Sequence, residues 1–155
     1  NIEFANGYDQ SKAYSNTESG QTVHMNYVGA AGGWGGAMVQ DNIYQTSGSF
    51  DAEGCYEMTF LNPEAKYFWS ATVYNADGRM FNDLANISSE TNPVQNEDGT
   101  YTLRFGCEGE PNNIPIVEGN TTGEFLVLIR HYGPSKQVMN DDEGYNPTKN
   151  IQKVN

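Results

Sequence analysis

Tyr67-Phe68-Trp69-Ser70-Ala71-Thr72-Val73-Tyr74, followed at once by Asn75-Ala76-Asp77-Gly78, decides the fold class of this chain. Aromatic, β-branched and small side chains in unbroken succession suit a pleated strand, and the Asn/Asp/Gly cluster behind them suits a turn. The strand has two faces. Tyr67, Trp69, Ala71 and Val73 share the more apolar one and are expected to face a core, while Phe68, Ser70, Thr72 and Tyr74 point the other way.

Two segments of the same style follow, at 101–107 and 124–132. The second is apolar on both faces, the mark of a central strand covered on both sides. Further strands are read at 22–28 and 55–61, with an edge strand at 151–154. Residues 37–46 read as a short helix or as an irregular segment, 50–54 as a turn, 79–92 as a polar loop, and 111–123 as a long connection. Short strands at this spacing, separated by Gly-rich turns, predict an all-β fold: a jelly-roll-like antiparallel β-sandwich with long loops and little helix. Residues 1–20 are polar and aperiodic and are expected to form an extended arm that packs on a neighbouring subunit, with 21–155 as a single sandwich domain.

Composition narrows the function classes. The net charge of −12, from 8 basic and 20 acidic residues, argues against nucleic acid as a partner, because phosphate recognition needs clustered Lys and Arg. No apolar run approaches the roughly 18–20 residues a membrane-spanning helix needs. The chain opens on Asn1, which fits a processed N-terminus or a part of a longer chain; with its abundance of Asn, the first reading places it outside the cytoplasm, as a secreted, cell-surface or virion protein. Cys55 and Cys107 allow one disulfide, and a bridge closing about 50 residues is worth roughly 4 kcal/mol in the chain-entropy model. Strand parity speaks against it. Cys107 falls on the face of Tyr101, Leu103 and Phe105, whereas Cys55 shares the face of Glu57 and Thr59. Two separate thiols, one buried, are therefore expected.

Several ordered pieces resemble a known family. Phe68 to Tyr74 with Asp77-Gly78 resembles the "FWSLTxY…DG" signature of the family catalogued as domain of unknown function 1214. Phe125 to Pro134 resembles its "FxxxLRxYxP" strand, Asp98-Gly99 its "DGS" strand start, and Asn113-Ile114-Pro115 its "NWLP" loop. Tyr44, Asp51, Gly54 and Tyr56 match its upstream tyrosine and "DxxG…Y" pattern. The similarity covers residues 35–150. It implies a jelly-roll-like sandwich, often placed after a second domain of unknown function, 1254, and brings no established catalytic residues. Two departures stand out. The family's "NPxNRYS" segment is here Asn82-Asp83-Leu84-Ala85-Asn86-Ile87-Ser88, without the arginine, and the "NWLP" tryptophan is missing.

Candidate chemistry is sparse. His24 and His131 are the only histidines, and neither has the carboxylate spacing of a zinc site. His131 and Arg130 sit at the end of the central strand, where a packing or ion-pairing role competes with ligand binding. Asp51, Glu53 and Asp77 lie in turns that resemble fragments of calcium loops but lack the remaining ligands. Turn formation is the simpler reading and calcium the alternative; no other cofactor is implied. Trp34, Tyr8, Tyr14 and Tyr145 fall outside the regular strands and are expected to form a contact surface, together with Arg130 and His131. Tyr67, Trp69, Tyr101 and Phe125 are assigned to the core. The resulting expectation is a non-catalytic binding or assembly module, self-associating or docked on a partner domain. The alternatives are a hydrolase-like enzyme whose site is completed by a partner domain, and a carbohydrate-binding module.

Overall fold

The computed structural model describes residues 40–140 and 145–154. Two sheets face each other across one apolar layer. The first has the order β1 (Asn42–Thr46), β8 (Glu124–Tyr132), β4 (Phe68–Asn75), β5 (Asn86–Ser88), with β2 (Phe50–Asp51) also paired to β8. The second has the order β7 (Asn113–Ile114), β6 (Thr100–Phe105), β3 (Tyr56–Leu61), β9 (Gln152–Lys153). All pairings for which a register is defined are antiparallel except β6 with β7, which is parallel. One short helix, α1 (Lys136–Asn140), follows β8. The expected β-sandwich is therefore the fold.

The inward face read for β4 holds, and β8, read as covered on both sides, buries Phe125, Val127 and Ile129 inward and Leu128 on its other face. Trp69, Ala71 and Val73 of β4 and Phe125, Val127 and Ile129 of β8 are buried against Met58, Phe60, Leu103 and Phe105 of the opposite sheet. Aromatic side chains supply much of this layer. The Phe60 and Trp69 rings meet edge-on at 5.3 Å, and Phe125 contacts Phe50, Tyr56 and Phe105. Ile114 and Ile116, read as loop residues, are fully buried, because β7 runs beside β6 and turns them inward.

Three expectations are corrected. Residues 42–46 form a strand, since pairing with β8 supplies the hydrogen bonds that local propensity left undecided. Tyr67 is 66% exposed: β4 begins at Phe68, so Tyr67 lies outside the packed ladder and its ring lies beneath Lys66 Nζ at 4.9 Å.

The third correction concerns the cysteines, which are bridged, with Cα atoms 4.8 Å apart. Parity misled because neither residue belongs to the β3–β6 ladder, whose last rung is Tyr56↔Phe105. Gly106 takes φ +73°, a left-handed conformation that resets the direction of Cys107. A Cβ at Gly106 would meet the Gly54 carbonyl at 2.5 Å, so the close approach of the two chain ends requires glycine there.

Candidate functional site

Residues 130 and 131 are neighbours in β8 and point to opposite sides of the first sheet. His131 points inward and is fully buried. Its ring meets Tyr145 edge-on at 6.0 Å, and Nε2 lies 3.0 Å from Gln45 Oε1. Gln45 Nε2 donates to the Tyr145 carbonyl at 2.6 Å, which fixes the amide orientation and makes the histidine Nε2–H the donor. Nδ1 is then an acceptor, and among the described residues it has no hydrogen-bond partner. Burial depresses the imidazole pKa from 6.5 to about 4, so the ring is neutral at ordinary pH. It cannot reach a substrate from this position.

Tyr145, expected on a contact surface, is also buried. It packs with Ile43 and Val138, its hydroxyl donates to the Leu61 carbonyl, and burial raises its pKa. The sequence reading placed it on the surface because it falls outside the regular strands; tertiary packing against β1 and α1 draws it in.

The outward face of the same two strands is mixed: Ser70, Thr72 and Leu128 are buried there, while Arg130 and several aromatic side chains are partly exposed. Phe68 stacks on Tyr132 with centroids 4.3 Å apart, and Tyr44 meets Tyr132 edge-on at 6.4 Å. The Tyr44 pKa is raised, first by burial and then by the neighbouring Tyr132 charge and hydrogen bond, with Arg130 opposing. Arg130 lies between the tyrosines. Nη1 donates to Thr72 Oγ1 at 2.8 Å and Nη2 to Tyr74 OH at 2.5 Å, with the guanidinium 5.7 Å from the Tyr74 ring centre. Asn86 Nδ2, from β5, donates to the same Thr72 Oγ1 at 2.8 Å. Arg130, Tyr74, Tyr132, Phe68 and Tyr44 are all partly exposed. Among the described residues no carboxylate pairs with Arg130, although the chain carries 20 acidic residues.

The other arginines behave differently. Arg104, on the outer face of the second sheet, is paired with its cross-strand neighbour Glu57 at 2.9 Å, as expected of an arginine in an acidic protein. Arg79 is exposed in a turn. Asp51, Glu53 and Asp77 are exposed and are not brought together; among the described residues no three His, Cys, Asp or Glu side chains are grouped as metal ligands would be. Trp34, Tyr8, Tyr14 and His24, the strand read at 22–28 and the arm at 1–20 lie outside the described residues. No helix among the described residues is long and apolar enough to cross a membrane.

Of the candidate binding residues that are described, Arg130 alone stays partly exposed. Tyr74, Phe68, Tyr132, Tyr44 and Asn86 join it, with the buried Thr72 beneath, and were not singled out as site residues from the sequence. A signal existed. In the two signature strands, Phe68, Ser70, Thr72, Tyr74, Arg130 and Tyr132 all occupy letters of the quoted motifs, and strand alternation puts all six on one face.

The model of a protein family of unknown function, DUF1214, matches residues 38–136, and the chain belongs to that family. No curated protein sequence matches the chain. The crystal structure of the VPA0106 protein from Vibrio parahaemolyticus is similar, with a TM-score of 0.68 and 23% identity over 96% of this chain and 40% of that one. A putative uncharacterised protein from Burkholderia cenocepacia gives a TM-score of 0.46 and 16% identity over 59% of this chain and 25% of its own. The chain thus spans well under half the length of the solved proteins it matches.

Proposed function

We propose that this chain is a non-catalytic binding module whose ligand-contacting surface is the outer face of β4 and β8. One observation carries the reading: Arg130 is held in place by Thr72 and Tyr74 among aromatic rings, with no carboxylate of the described chain set against it. A guanidinium with unused donors on a partly exposed surface is a common device for recognising a partner.

Two facts support the non-catalytic and extracytoplasmic parts of the proposal. His131, the histidine nearest to this face in sequence, is sealed in the core and takes no part in chemistry there. The Cys55–Cys107 disulfide fits an oxidising compartment.

The test is a probe panel of small carboxylates, phosphates and sugars added to the full chain, followed by backbone and side-chain NMR. Saturable shifts confined to Thr72, Tyr74, Arg130 and Tyr132 are expected. A panel that leaves these residues untouched, or that is turned over chemically, overturns the proposal.

A further inference from the structure

We infer that the face around Arg130 binds a carboxylate, and this rests on the reading of that face as the binding surface. The argument is an inventory of donors and acceptors. Thr72 is buried, and its Oγ1 receives one hydrogen from Arg130 Nη1 and another from Asn86 Nδ2, so both of its lone pairs are occupied and it holds the guanidinium from beneath. Tyr74 OH receives from Arg130 Nη2, and its own hydrogen is left to give. Arg130 has donors beyond the two in use and, like every arginine, no acceptor. The described hydrogen bonds supply no acceptor for the free hydrogens of Arg130 and Tyr74, and both residues are partly exposed. These two therefore present donors and one positive charge to the outside.

That inventory selects among ligands. A sugar hydroxyl both gives and accepts, and here only half of its capacity would be met. A carboxylate accepts only, is flat, and matches the guanidinium fork with two parallel hydrogen bonds. A phosphate dianion also accepts only, but it carries more charge than one arginine balances. The position where the family segment has its arginine is Asn86 here, and that amide donates into the cluster without adding charge. One cation with neutral donors matches a single negative charge. The Phe68–Tyr132 stack and the Tyr74 ring give the carboxylate an apolar flank for whatever it is attached to.

The carboxylate has two sources, a free organic acid or the end of a peptide chain, and the probes separate them. The chain has arginines at 79, 104 and 130 only, so side-chain Nε–H spectra contain few signals, each assignable by a single substitution. Benzoate, the blocked peptide N-acetyl-dialanine with a free C-terminus, inorganic phosphate and glucose are each titrated at constant ionic strength. The expected result is a saturable shift of the Arg130 signal with benzoate or with the peptide, about tenfold tighter than with phosphate. Whichever of the two binds tighter identifies the source. The accompanying shifts of the backbone amides of Thr72, Tyr74 and Tyr132 disappear in Arg130→Gln, and the Arg130 shift weakens in Tyr74→Phe, a second variant that keeps the ring and the fold. Asn86→Arg is expected to move the preference toward phosphate.

Glucose binding at this face without carboxylate binding overturns the ligand class and leaves the binding surface standing. Carboxylate shifts that persist in Arg130→Gln place the ligand elsewhere and overturn the inference. A face that no probe perturbs overturns both readings.

Discussion

The outer faces of the two sheets each present an arginine, and the two are solved differently. On the second sheet Arg104 lies across the ladder from Glu57 and is neutralised at 2.9 Å. On the first, the residue across from Arg130 is Ser70, and the guanidinium rests on the hydroxyls of Thr72 and Tyr74. Cross-strand opposite charges are the ordinary way to settle a charge on a sheet. In a chain of net charge −12, a carboxylate opposite Arg130 would be easy to supply. The difference teaches that the same residue type can be neutralised across the ladder on one face and, among the described residues, rest on neutral hydroxyls on the other, which is the contrast the proposed binding role rests on.

Four experiments break or sharpen this contrast, the largest effect first. Reducing the Cys55–Cys107 bridge, or replacing both cysteines by serine, frees the end of the sheet that carries Arg104. It is expected to cost about 4 kcal/mol for a loop of 52 residues. Urea unfolding with and without reductant measures it, and an unchanged midpoint would show that the bridge holds nothing in place.

The second experiment concerns His131, behind Arg130 on the inner side. Its folded pKa is depressed to about 4 from 6.5 by burial, so at higher pH both folded and unfolded forms are neutral and stability is intact. As pH falls below 6.5 the unfolded chain takes up a proton that the folded chain refuses, and stability drops progressively down to about pH 4. The total loss is roughly 3 kcal/mol. Carboxylates titrate in the same range, so the readout is the difference in pH slope between the native chain and His131→Gln. Parallel slopes would remove the buried imidazole from the account.

Glu57→Gln is third. It is expected to cost at most about 1 kcal/mol, because both partners of this pair are partly exposed. It should also make Arg104 respond to added carboxylate, turning the neutralised face into a copy of the other one. If Arg104 stays silent once unpaired, the neutral hydroxyl frame around Arg130 matters more than the missing carboxylate.

Arg130→Gln is fourth, with a stability change within about 0.5 kcal/mol, since a surface guanidinium on neutral partners contributes little to folding. A melting temperature lowered by much more would recast Arg130 as a structural residue.

Legibility varied with the kind of information involved. The inward positions of β4 were readable because alternation is a property of a single strand, and β8 was readable as central because it is apolar on both faces. Trp69, Val73 and Phe125 were assigned to the core and are there. Tyr67 failed because strand ends are set by where the neighbour's hydrogen bonds stop, which depends on the partner strand. Ile114 and Ile116 failed for a related reason: a two-residue strand has no period to read, and only its place beside β6 buries it. The disulfide failed because one left-handed glycine outside the ladder undid a parity argument valid within it.

The candidate site was half legible. Arg130 was named, and the motif letters around it were quoted for the family they resemble, yet their common orientation went unused. His131 and Tyr145 were placed with it and belong to the core.

By itself, the sequence determined the sandwich, the two central strands, the inward face of β4 and the family, because each depends on local periodicity or on ordered motifs. Only the tertiary structure decided that the cysteines meet, that Tyr145 and His131 are sealed, and that among the described residues Arg104 has a carboxylate and Arg130 has none. Those outcomes depend on which strands lie side by side and in which register, and a single strand carries no record of its neighbour.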